Sequence, residues 1–87
     1  MLIPNQFIHK GLEDVYFNGR SQMIPQTQWS RCNRLLLTIE SATKPDDTKL
    51  PGSGFKQSGN VYSLAVDANN RICYEWSAGQ VTSIDYV

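Results

Sequence analysis

Eighty-seven residues suffice for one small domain with a single modest core, not for two. Apolar residues make up 40% of the chain and aromatic ones 10%, which excludes a disordered segment. The longest wholly apolar run, Leu35-Leu36-Leu37, is far short of the ~20 residues a transmembrane helix needs. Eight lysines and arginines balance eight aspartates and glutamates, so the formal net charge is zero and there is no basic excess for strong, unaided nucleic-acid binding.

Met1–Gln6 has neither the basic region nor the apolar block of a secretory signal, so the expected compartment is the cytoplasm. Cys32 and Cys73 match the spacing of no zinc or redox motif, and a single histidine, His9, leaves a metal site short of ligands. Both cysteines are expected as free thiols that pack as small apolar side chains. No metal and no cofactor is implied.

Along the chain, Leu2–Phe7 reads as a strand at a sheet edge, where Pro4 is tolerated. Gly11–Asn18 (GLEDVYFN) puts Leu12, Val15 and Tyr16 on one stripe, with Glu13 and Asp14 early and Asn18-Gly19 as the stop, which predicts a short helix. His9, just ahead of it, is expected as a capping or surface residue. Pro25–Ala42 carries the stronger helical pattern. Pro25 suits the first position, Ile24, Cys32, Leu35, Leu36 and Ile39 form an apolar stripe, and Pro45 forces an end near Thr43. Lys44–Asn60 (KPDDTKLPGSGFKQSGN) reads as loop with room for one short strand near Phe55, and loops of that length are often functional.

The remainder predicts an antiparallel meander. Val61–Val66 places Tyr62, Leu64 and Val66 on one face, and Ala68-Asn69-Asn70 turns the chain. Arg71–Trp76 puts Ile72, Tyr74 and Trp76 on one face and Arg71, Cys73 and Glu75 on the other. A second turn at Ser77-Ala78-Gly79 leads to a third strand, Gln80–Tyr86. The expected fold class is α+β, with two N-terminal helices packed on one face of a four- to five-stranded, mainly antiparallel sheet.

Several stretches, in order, resemble HigB-type killer toxins of the RelE/ParE toxin–antitoxin superfamily. Phe7-Ile8-His9-Lys10-Gly11-Leu12 (FIHKGL) is similar to that family's N-terminal signature. Ile39–Asp47 (IESATKPDD) with Leu50-Pro51-Gly52 looks like its helix end and loop. Tyr62-Ser63-Leu64-Ala65-Val66, then Asn69-Asn70 and Arg71–Trp76, resemble its Ser-containing strand, turn and W-R-I-T-F-x-F strand, and Ile84-Asp85-Tyr86 its C-terminal D-Y. The resemblance implies a RelE/ParE-like fold and a ribosome-dependent endoribonuclease that cuts messenger RNA, silenced by a cognate HigA-type helix-turn-helix antitoxin. In such enzymes the ribose 2′-hydroxyl attacks the adjacent phosphate. A base removes its proton, an acid protonates the departing 5′-oxygen, and cations stabilise the charged transition state.

Carried over residue by residue, the family's sheet arginine falls on Arg71, whose guanidinium can bind two phosphate oxygens. The plainer reading is a surface arginine paired with Glu75. Lys56 is the cation of the loop's second half. One alignment puts it where the family has His or Glu, and the next puts it on the family lysine with Ser53 on the histidine. Tyr86 matches the family's terminal tyrosine, for base stacking or proton transfer. Arg71, Lys56 and Tyr86 are thus the implied catalytic set, lying in an open, positively lined hollow beneath the Gly-rich connection, with Ser53 and Arg34 as substrate-binding residues. Departures are the missing histidines, Asp67 where relatives carry a cation, and Val87 after Tyr86. They keep two alternatives open: a ParE-like gyrase inhibitor that cuts nothing, and a decayed relative that only binds antitoxin. Trp29, Arg31 and Arg34 are candidates for the antitoxin surface, although Trp29 also suits a core anchor.

Overall fold

The computed structural model describes residues 1–87. Helix α1 spans Lys10–Asn18. His9 opens it as a cap, its Nδ1 accepting the Leu12 N–H at 3.3 Å. Gly19 closes it with φ of 79°, a left-handed conformation that turns its N–H back to the Val15 carbonyl at 2.8 Å.

The second helix starts later than the Pro25 pattern suggests. Pro25 keeps an extended ψ of 136°, a single 3-10 turn covers Gln26–Gln28, and α2 runs Trp29–Ser41. Ala42 leaves the helix ahead of Pro45, as expected. The Trp29 indole N–H donates to the Ser21 and Ile24 carbonyls at 3.1 and 2.8 Å, so this side chain anchors the connection between the helices.

The stretch Lys44–Asn60 is more ordered than loop: Pro45–Thr48 form a 3-10 turn and Lys56–Ser58 form strand β1. Strands β2 (Val61–Ala65), β3 (Arg71–Ser77) and β4 (Gln80–Tyr86) follow, and all four pair antiparallel in sequential order. Leu2–Phe7 is not a fifth strand. Pro4–Gln6 coil into a 3-10 turn in which the Gln6 side chain accepts the Ile3 N–H at 2.8 Å, and Phe7 meets the sheet only in an isolated parallel bridge to Ile84. A proline without an N–H and a self-bonding glutamine favour the turn over a ladder.

Leu12 and Val15 of α1, Cys32, Leu35, Leu36 and Ile39 of α2, and Leu64, Ile72, Tyr74 and Ile84 of the sheet bury one another in a single core. The helices therefore cover one sheet face and leave the other open, in agreement with the alternation of β2 and β3. In β4 the alternation breaks. Val81 and Ile84 both point inward because Ser83, at φ of 55°, forms a bulge where the register with β3 shifts between Cys73 and Glu75. Both cysteines are free, Cys32 in the core and Cys73 on the open face.

Candidate functional site

Arg71 opens β3 one residue before the buried Ile72, so its side chain lies on the open face. Its Nε donates to Ser63 Oγ at 2.9 Å, and Nη2 donates to the carbonyls of Gly54 and of Ser63. Nη1 takes no partner from the protein, and no carboxylate comes within ion-pair distance, so the pairing with Glu75 does not form. The guanidinium therefore has no carboxylate partner and keeps one free edge beneath the Gly-rich connection.

That connection is held from two sides. Arg31 of α2 donates through Nε and Nη2 to the Ala65 carbonyl at 3.2 and 3.0 Å, and through Nη2 to the Gly52 carbonyl at 2.8 Å. Arg71 takes the Gly54 carbonyl from the open face, and the Ala65 N–H takes the Ser53 carbonyl at 2.8 Å. Residue 54 must be glycine, since a Cβ there would lie 2.6 Å from the Ala65 Cβ and its φ is 66°. Ser53 is buried, and its hydroxyl donates to the Leu50 carbonyl at 2.7 Å, which places it inside the turn rather than on a binding surface. Arg31, named from sequence only as an interface residue, is here a clamp on the loop.

Lys56 is exposed and pairs with Ser63, which pairs in turn with Cys73. Directly opposed residues share a face, so Lys56, Ser63 and Cys73 stand with Arg71 on the open side. Glu75 and Asp85 occupy the same face farther along, which makes it mixed in sign rather than uniformly positive. Burial raises the Cys73 thiol pKa, Arg71 pulls it down and Asp85 pushes it up. Arg34 is exposed on α2, on the other side of the sheet, and is not brought to Arg71.

Tyr86 is also on the other side. It pairs with the buried Ile72, and its hydroxyl donates to Gln28 Oε1 at the start of α2. Gln28 spends its amide on Asp67 Oδ2 at 2.7 Å and Asn70 Oδ1 at 3.1 Å, tying the β2–β3 turn to the helix. The His9 ring centroid lies 5.2 Å from that of Tyr86. Burial is the main cause of the raised Tyr86 pKa, helped by the nearby Cys32 and Asp67 and opposed by the Gln28 hydrogen bond. Of the implied catalytic set, then, Arg71 and Lys56 share a face and Tyr86 does not join them. Gln28 was not anticipated, because an isolated glutamine carries no sequence signal for the partners that the fold brings to it.

No residue of the implied set lines a pocket. The larger concavity, about 920 Å³, is bounded by Asp14, Asn18, Arg20, Ser21, Gln22 and Trp29 beside α1. A smaller one, about 370 Å³, lies between Leu2, Ile39, Glu40, Trp76 and Val81. The surface around Arg71 and Lys56 is a shallow face that can meet an anion presented to it and cannot enclose a small substrate. No helix is long and apolar enough to cross a membrane. The sequence matches no family model and no curated protein.

Proposed function

We propose that this chain is the toxin of a type II toxin–antitoxin system, a RelE/ParE-like endoribonuclease that cuts messenger RNA on the ribosome and is neutralised by a HigA-type helix-turn-helix antitoxin. The observation that carries the reading is Arg71, a guanidinium without a carboxylate partner on the open sheet face, one strand across from Ser63 and two from Lys56. The order of elements, two helices and then a meander reached through a Gly-rich connection, supports it.

In this reading the RNA 2′-oxygen bonds to phosphorus as its proton passes to water, the bond to the 5′-oxygen breaks as that oxygen takes a proton from water, and Arg71 with Lys56 offsets the charge that builds on the phosphoryl oxygens. A shallow, formally neutral protein needs its substrate positioned from outside, which the ribosome supplies. Tyr86 serves the fold rather than proton transfer.

Inducible expression in bacteria tests the reading: growth arrest with new messenger ends supports it, and relief of arrest by Arg71→Ala, with the variant still folded, assigns the site. DNA damage signalling with intact messengers would point to gyrase instead. A second reading, a family member that binds antitoxin without cutting, is favoured by the engagement of the Tyr86 hydroxyl with Gln28 away from Arg71. Unimpaired growth on expression would select it.

A further inference from the structure

Two guanidiniums hold the same short segment, residues 52–54, one from α2 and the other from β3. The segment prolongs the line of β1 past Lys56 along the end of β2. Lys56 pairs with Ser63, and the Ala65 N–H donates to the Ser53 carbonyl at 2.8 Å. The Ala65 carbonyl points to the same side of β2 as its N–H, beyond the end of β1, where the ladder has no donor for it. Arg31 supplies one. Its Nε and Nη2 lie 3.2 and 3.0 Å from that carbonyl, and Nη2 also reaches the Gly52 carbonyl at 2.8 Å.

Neither guanidinium has a carboxylate within ion-pair distance, so carbonyls and one hydroxyl set the direction of their donors. For Arg71, the Ser63 hydroxyl and carbonyl belong to the sheet ladder and move with it. The Gly54 carbonyl does not. It stands in a turn where Gly52 and Gly54 both take left-handed φ, 79° and 66°, and neither has a side chain to pin the backbone. What holds that carbonyl in place is the grip on its neighbours: Arg31 on Gly52 and Ala65, and Ser53 on Ala65.

We infer that Arg31 is a positioning residue for Arg71, acting through the Gly54 carbonyl that it never touches. By fixing Gly52 and Ala65 it fixes the turn between them, the turn orients Arg71 Nη2, and Nη1 is left as the outward edge. An arginine suits the task because its planar fork meets two carbonyls of different segments in one fixed geometry, which a lysine's point charge does not. The inference stands on these hydrogen bonds alone, and it bears on messenger cleavage only through the ribonuclease reading.

Arginine side-chain NMR on the whole chain tests this, with the Arg71 signals assigned by their loss in Arg71→Lys. Wild type shows slow rotation about the Arg71 Nε–Cζ bond, because carbonyls hold Nη2. Arg31→Ala speeds that rotation about 2- to 13-fold, the equivalent of one ordinary hydrogen bond lost, in a chain whose backbone spectrum stays folded. Arg31→Gln, shorter and without the fork, gives the same change should Arg31→Ala not fold. Leu36→Ala, which loosens the core, leaves the Arg71 rotation at the wild-type rate and so separates positioning from general destabilisation. Unchanged rotation in the Arg31 variants, equally fast rotation in Leu36→Ala, or free rotation in wild type overturns the inference. In cells, Arg31→Ala slows the appearance of new messenger ends by up to about 100-fold. Faster rotation in Arg31→Ala with messengers left uncut even by wild type would keep the positioning and sink the nuclease reading. Messengers cut by wild type, with Arg71 rotation unchanged in Arg31→Ala, would do the reverse.

Discussion

Alternate residues of the same strands build two unlike faces. On the covered side, Leu64, Ile72, Tyr74 and Ile84 are fully buried, and the hydroxyls that reach there find partners, Tyr74 with Thr48 and Tyr86 with Gln28, whereas the buried Trp76 indole N–H has none. On the open side, Lys56, Cys73, Glu75 and Asp85 make no side-chain hydrogen bond with one another, and Arg71 is anchored to Ser63 and Gly54. Burial makes an unpaired polar group costly, so the covered face spends its polarity on itself. The open face has no such constraint. Arg71 is therefore free to meet an external anion from that face, and residues of equal chemical promise, such as Tyr86, are lost to it by the side on which they stand.

The largest effect that would break this contrast concerns Arg71. Arg71→Ala is expected to abolish growth inhibition outright while lowering stability by about 1–3 kcal/mol through the lost loop contacts. Toxicity that survives the substitution in a folded variant shows the open face to be inert. The covered face should respond in the opposite sense. Leu36→Ala, in the centre of the core, is expected to cost about 2–5 kcal/mol in denaturant unfolding, with any loss of toxicity following the unfolded fraction. A smaller effect sharpens the assignment of Tyr86. Removing its hydroxyl in Tyr86→Phe leaves Gln28 Oε1 without its donor and should lower stability by about 1–3 kcal/mol, with toxicity intact. Lost toxicity at an unchanged Tm would return Tyr86 to the chemistry.

The two thiols give the mildest contrast. Cys73 is partly exposed and should be alkylated in the native protein, whereas Cys32, wholly buried, should react only after unfolding; mass spectrometry distinguishes them. Burial pushes the Cys32 thiol up to about 11. A folded-state value above the unfolded one favours the neutral form, so its contribution to stability is complete below the ordinary thiol range near ~8.5 and is lost as pH rises toward that raised value. Tm should fall across that alkaline window, and Cys32→Ala should flatten the slope.

Much of the fold could be read from periodicity. The stripe Cys32, Leu35, Leu36, Ile39 marked the core face of α2, Gly19 marked the end of α1, and the alternation of Leu64, Ile72 and Tyr74 marked the inner sheet face. The Leu2–Phe7 segment was misread because its alternation carries no information about Gln6 bonding back to Ile3. The β4 bulge was invisible for a similar reason: Ser83 takes a left-handed conformation that serine rarely adopts alone, and it is stabilised there by the inward packing of both Val81 and Ile84.

For the candidate site, residue types and their order already placed Arg71 on the face opposite Ile72 and set Lys56 in the connection ahead of β2. Local patterns act over a few residues, and that range is enough to decide which side of a strand a residue takes. Whether Tyr86 meets Arg71, whether Ser53 faces solvent, and which carbonyls Arg31 holds depend on contacts between segments distant in the chain. Those were decided only when the core closed and determined which polar groups had to find partners inside.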